Sequence, residues 1–124
     1  MSKPSDPLET LRAFGAAIEE GQPEVAADLF APDATYEEPP APLLRGHADL
    51  LAFLSDFAAR HHDVSFTISR AFADASGTRM AAEWRFAYTR DEDGTRRAYE
   101  GISIVECDEN GRITSWRGFS ARLG

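Results

Sequence analysis

Between Arg60 and Val64 the apolar spacing of this chain changes, from one residue in every three or four to one in every two. No single element survives such a change, because a helix face repeats every 3.6 residues and a half-buried strand every 2. Before the switch, Leu50, Leu51, Leu54 and Phe57 are spaced for one helix face. After it, Val64, Phe66 and Ile68 alternate with polar residues, and Met80, Ala82, Trp84, Phe86 and Tyr88 share one face of a second strand. Ala75-Ser76-Gly77, Asp91-Glu92-Asp93-Gly94 and Asp108-Glu109-Asn110-Gly111 read as turns. The stretches near Arg96 to Glu106 and Arg112 to Arg122 are then long strands. Helices first and a four-strand antiparallel meander after them define an α+β fold, with the helices on one face of a curved sheet.

The N-terminal half supplies three helices and one short strand. Asp6-Pro7-Leu8-Glu9 opens the first helix, with Asp6 as cap and Pro7 at the first helical position. Leu8, Leu11, Phe14 or Gly15, and Ile18 give its apolar face, and Gly21 ends it. Pro23 starts a shorter helix with Val25, Leu29 and Phe30 inward. Pro32 and Asp33 turn the chain into a short strand carrying Tyr36 and Glu38. The loop from Pro39 to Arg45 holds three prolines, and Gly46-His47 leads into the third helix, which His61-His62-Asp63 closes.

The chain has 124 residues and a net charge of −8, with 43% hydrophobic and 27% charged residues. That balance fits one globular domain over residues 1–124. The acidic surface argues against nucleic acid and against anionic membranes, both of which recruit clustered Lys and Arg. No apolar run approaches transmembrane length. Met1 to Asp6 lacks the apolar core of a leader peptide, and the one cysteine, Cys107, has no internal partner. A cytoplasmic location is therefore expected.

Chemistry is concentrated in Tyr36-Glu37-Glu38-Pro39. Adjacent strand residues face opposite ways, so only one of the two carboxylates can point inward. A carboxylate held among apolar side chains has a raised pKa and serves as a general base near neutrality. The bland alternative is an exposed strand-end glutamate. Phe14, Phe30, Tyr36, Leu54, Trp84, Phe86 and Trp116 are candidates for the wall of an apolar pocket or for plain core. Glu83 and Arg85 fall on the face opposite Trp84, where cross-strand ion pairs are the expected role. His61 and His62 diverge at a helix end, His47 is expected in solvent, and no spacing resembles a metal site, so neither metal nor cofactor is expected. Cys107, between Glu106 and Asp108, has nothing to lower its pKa and reads as a small strand residue.

Several stretches resemble the nuclear transport factor 2-like superfamily, which includes ketosteroid isomerases and SnoaL-like cyclases. They are Leu29-Phe30-Ala31-Pro32-Asp33-Ala34-Thr35, Arg45-Gly46, Gly101-Ile102-Ser103, and Asn110-Gly111-Arg112-Ile113 through Trp116-Arg117. The resemblance implies a cone-shaped curved antiparallel sheet with three N-terminal helices enclosing a pocket. It also implies a carboxylate base at Glu38, where the isomerases carry an aspartate one methylene shorter. The isomerases' other groups depart here. Phe14 stands where they place a tyrosine, Ser103 where they place a protonated aspartate, and Leu54 where they place a supporting tyrosine, while Phe30 adds no hydroxyl. Gly118-Phe119-Ser120-Ala121 lacks the acid that SnoaL-like members carry after the Trp-Arg pair. One lost oxyanion donor costs about 10²–10³ in rate, so weak or absent steroid isomerisation is expected.

The expected function is cofactor-free proton abstraction from carbon, of isomerase or lyase type, on a small apolar or aromatic molecule. Glu38 is the base. Phe14, Phe30, Tyr36, Leu54, Trp84, Phe86, Tyr99, Ser103, Trp116 and Ser120 are the expected substrate-binding residues, and Ser103, Tyr36 or Tyr99 the candidates for a replacement hydrogen bond. A non-catalytic binder of small apolar molecules and a dimerising accessory domain are the alternatives. A homodimer through the outer sheet face is expected, with Ile102 and Ile104 in the interface.

Overall fold

The computed structural model describes residues 6–123. Residues 1–5, in which no leader peptide is expected, lie outside the described residues, as does residue 124. In chain order the elements are α1 (Pro7–Glu19), α2 (Pro23–Asp28), β1 (Phe30–Glu37), β2 (Leu44–Arg45), α3 (His47–Arg60), β3 (His61–Ala73), β4 (Arg79–Arg90), β5 (Arg96–Cys107) and β6 (Ile113–Arg122). The strands form one curved, unclosed sheet in the order β2-β1-β6-β5-β4-β3.

Local chemistry accounts for most boundaries. Asp6 caps α1, its Oδ1 accepting the Glu9 N–H at 2.8 Å, and Pro7 takes the first helical turn. Gly21, at φ 68°, lets the chain leave the helix in a left-handed conformation. α3 ends at Arg60, and the His61 ring sits 2.8 Å from the Phe57 carbonyl, closing the last turn. His61, His62 and Asp63 belong to β3 rather than to the helix. β3 carries two irregularities, between His62 and Ser65 and between Ile68 and Arg70, and such bulges bend a strand.

Three details depart from the sequence reading. Val25 of α2 is half exposed, and Ala26 and Ala27 are buried instead. A six-residue helix packed against both α1 and α3 presents only a narrow inward ridge, which small side chains fill. Pro32 and Asp33 do not turn the chain. β1 begins at Phe30 and runs through them, with a register break before Thr35 that absorbs the missing proline N–H. The expected four-strand antiparallel meander is present as β3 to β6, and the third departure is the strand added beside it. β1 pairs in parallel with β6 and antiparallel with β2, and the remaining pairings are antiparallel.

The core lies between the helices and the inner sheet face, where Leu11, Phe30, Leu50, Val105, Ile113 and Trp116 are fully buried. Thr10, also buried, donates its hydroxyl to the Gly111 carbonyl at 2.7 Å and ties α1 to the β5–β6 turn. Gly15 allows α1 to approach β3 closely. A Cβ there would stand 2.6 Å from the Phe66 ring.

Candidate functional site

The helices do not fill the inner face completely. A cavity of about 80 Å³ remains between them and the sheet. α1 lines it with Phe14 and Ile18, and α3 with Phe53, Leu54 and Phe57. Phe66 of β3, Trp84 and Phe86 of β4, and Trp116 of β6 form the floor. Tyr36 and Glu38, at the end of β1, complete it, and Glu38 is the one carboxylate in this lining.

Strand parity puts Glu38 there. Tyr36 faces inward, Glu37 outward, and Glu38 inward again. Glu37 Oε1 accepts from Arg117 Nε at 3.1 Å in solvent. Glu38 Oε1 accepts from Trp116 Nε1 at 3.2 Å, a bond made possible because β6 runs beside β1 with Tyr36 opposite Trp116. The two rings also stack, with centroids 5.3 Å apart. Burial raises the Glu38 pKa above the ordinary carboxylate value, and the Trp116 N–H and the Tyr36 hydroxyl oppose that rise. Arg45 is exposed and is not among the groups acting on Glu38. Tyr36 is pushed well above its ordinary value, first by burial and then by the Glu38 charge. It keeps its proton at neutral pH and is a hydroxyl donor inside the cavity.

Of the residues named from the sequence, Phe14, Tyr36, Glu38, Leu54, Trp84, Phe86 and Trp116 meet around this one space. Phe30 stands behind it, edge-on to Phe14 at 5.8 Å and to Tyr36 at 6.2 Å. Ser103 is fully buried, and its Oγ accepts from Trp84 Nε1 at 2.8 Å. The serine holds the indole in place, and the indole lies over Gly101, where a Cβ would come within 2.5 Å of it. Tyr99 and Ser120 fall outside the cavity. Tyr99 stacks on Tyr88, with their hydroxyls 3.2 Å apart, in a separate cleft lined by Asp56, Ala59 and Arg60 of α3. Ser120 pairs with Gly101 near the exposed end of β6. Inward parity alone does not place a residue in the cavity.

Ile18, Phe53, Phe57 and Phe66 line the site without having been assigned to it. Ile18, Phe57 and Phe66 had the periodic signal of core residues. Phe53 lies off the Leu50–Leu54–Phe57 ridge and is 40% exposed, so it forms the mouth rather than the wall. Glu83 pairs across strands with Arg70 at 2.8 Å, and Arg85 approaches Glu100 at 3.9 Å, both on the outer face. His47 lies 3.1 Å from Asp28. Cys107 is buried, and burial followed by the Asp108 charge raises its thiol pKa to about 11. Among the described residues no three His, Cys, Asp or Glu side chains cluster as a metal site, and no helix is long and apolar enough to cross a membrane.

A curved sheet covered by three helices on one face is the ketosteroid isomerase-like class of fold. The SnoaL-like domain family matches residues 11–116, and the chain belongs to that family. The Steroid Delta-isomerase of Nocardioides simplex is 34% identical over 106 residues, covering 85% of this chain and 81% of that protein. Among solved structures, the epoxide hydrolase/cyclase-like enzyme SalBIII, acting in pyran ring formation, superposes with a TM-score of 0.81 at 19% identity, over 93% of this chain and 90% of that one. RV0760c of Mycobacterium tuberculosis, in complex with estradiol-17beta-hemisuccinate, gives 0.80 at 20% identity, over 92% and 93%. These two likenesses are of fold.

Proposed function

We propose that this protein removes a proton from the carbon of a small apolar or aromatic substrate without a cofactor, with Glu38 as general base. The observation that carries the reading is the environment of Glu38. It is a carboxylate in an aromatic cavity, its pKa raised by burial, with one oxygen engaged by a neutral N–H donor. Trp116 engages Oε1, and the Tyr36 hydroxyl also acts on the carboxylate. The Tyr36 hydroxyl is the replacement donor nearest the base. Kinship to a steroid isomerase supports proton transfer at carbon as the reaction type.

The substrate is small or has a self-stabilised anion. Sites for drug-sized ligands measure roughly 300–1,000 Å³, against about 80 Å³ here. A four-ring steroid needs the Phe53 edge of α3 to move outward. Phe14 and Ser103 offer no strong donor, because Phe14 has no polar atom and Ser103 is outside the cavity lining with its Oγ engaged by Trp84. A charge delocalised into a ring or a leaving group tolerates that lack, so isomerisation, elimination or ring opening is favoured. The poverty of donors also supports a second reading, a non-catalytic binder of small molecules.

The test compares a nitrobenzisoxazole with a Δ5-ketosteroid, each assayed with native protein and with Glu38→Gln. Ring opening that depends on Glu38, with slow steroid turnover, is the expected result. If neither substrate reacts above the Glu38→Gln background, the binding reading replaces the enzymatic one. Residues 1–124 are proposed to act as one domain, in a cytoplasmic setting and as a homodimer. Phe72, Ile102, Ile104 and Phe119 stand exposed on the outer sheet face, as such an interface needs. A monomer in light scattering overturns the dimer.

A further inference from the structure

On β6, Gly118 is the next inward position after Trp116, and it pairs with Ser103 of β5. A Cβ built on Gly118 would stand 2.7 Å from Glu38 Oε1, 2.9 Å from Glu38 Cγ and 2.9 Å from Ser103 Oγ. Carbon atoms in good contact sit at roughly 3.5–4.0 Å, so no side chain fits there while Glu38 keeps its position. Conformation does not explain the glycine. Gly118 is not among the residues with positive φ, and its backbone is open to any L-residue. The glycine provides space, and the Glu38 carboxylate occupies it.

We propose that Gly118 is a positioning residue whose bare backbone seats the Glu38 carboxylate and makes the length of a glutamate workable at position 38. The inference rests on the reading of Glu38 as the base. Seat and side chain are matched in length. A methyl on residue 118 pushes the carboxylate off its Trp116 donor and toward the cavity mouth. Shortening Glu38 to aspartate removes the 2.7 Å contact of Oε1 and so relieves part of that clash, while the contacts of Cγ and Ser103 Oγ at 2.9 Å stay. Each change is therefore harmful alone, and the second blunts the first.

The experiment is a double-mutant cycle of native protein, Gly118→Ala, Glu38→Asp and the pair, read by nitrobenzisoxazole turnover and by carbon-13 NMR titration of the residue-38 carboxyl. A displacement of about 1 Å costs on the order of 10² in rate. Gly118→Ala is expected to lower kcat by about that factor, with KM changed less than about threefold. Its pH–rate midpoint should move, because the methyl changes both the burial that raises the Glu38 pKa and the Trp116 bond that lowers it. In the Glu38→Asp background the same methyl should cost less in kcat than it does in native protein. Equal costs in the two backgrounds overturn the proposal, as does a Glu38 titration that Gly118→Ala leaves unmoved. If native turnover proves independent of Glu38, the base reading fails and the NMR titration alone decides the seat. If Gly118→Ala does not fold, a pair that folds supports the seat, and a pair that also fails overturns it.

Discussion

On the outer face of the sheet, carboxylates meet cations in water. Arg70 and Glu83 are 2.8 Å apart, Arg117 and Glu37 3.1 Å, and Arg85 and Glu100 3.9 Å. On the inner face of the same strands the cavity holds one carboxylate, Glu38, whose partner is a neutral indole N–H among aromatic rings. The contrast is sharpest between Glu37 and Glu38, which are adjacent in sequence. Pairing with an exposed cation contributes little, because solvent and salt screen it. Enclosure without a cation leaves a charge that proton uptake would relieve, and that is the property of a base.

Exchanging the two glutamates in turn breaks the comparison most directly. Glu38→Gln should lower turnover of an activated carbon acid by on the order of 10²–10⁴, the usual reach of general base catalysis. Glu37→Gln should change it less than about twofold. Steady-state kinetics on both variants decides. A large loss with Glu37→Gln would show that the two faces are not separate.

Trp116→Phe keeps a ring against Phe14 and Tyr36 and removes only the donor to Glu38. A hydrogen bond to a charged group contributes roughly 1.5–3 kcal/mol, and this one favours the carboxylate. Its loss should raise the Glu38 pKa further, shift the pH–rate midpoint to higher pH and slow turnover at neutral pH by about tenfold. A midpoint that stays in place would mean that the indole only fills space.

Stability carries the same distinction with a smaller effect. Because the folded Glu38 pKa lies above its unfolded value, the native state binds more protons between the two values. Unfolding free energy therefore falls as pH rises through that window, and the cost is complete above the folded pKa. Glu38→Gln removes the cost. Its thermal midpoint should match native protein below the unfolded carboxylate pKa and exceed it at neutral pH. Scanning calorimetry across that range tests the sign. Breaking an outer pair, as in Glu83→Gln, should cost less than about 1 kcal/mol, and less again in high salt.

The sequence made the helices and long strands readable because each keeps one period and ends at a Gly- or Asp-rich turn. Parity turned one of Glu37 and Glu38 inward, and the resemblance to the isomerases selected Glu38. Pairing at a distance left no local trace. Nothing near Thr35 announces a parallel neighbour at Ser115, and a two-residue strand such as Leu44–Arg45 has no period to show. Tyr99 and Ser120 have the parity of wall residues, yet they border other clefts than the one that holds Glu38. Phe53 breaks the buried ridge of α3 and still reaches the mouth. Gly118 was invisible because a missing side chain signals space only once its neighbours are known.

The Thr10 hydroxyl closes on the Gly111 carbonyl 101 positions away, and Glu38 closes on Trp116 78 positions away. Contacts of such separation form late, because the loop between them must be closed before any stabilisation is returned. During synthesis, β6 emerges after every other element of this fold. Until then Glu38 lacks its indole partner and the Trp116 part of the floor, and α1 has no turn to rest on. A nascent chain stopped before Ile113 can hold α3 and the β3–β5 hairpins but not the cavity. In refolding, the Trp116 fluorescence change and the return of Glu38-dependent activity should share one phase, the last.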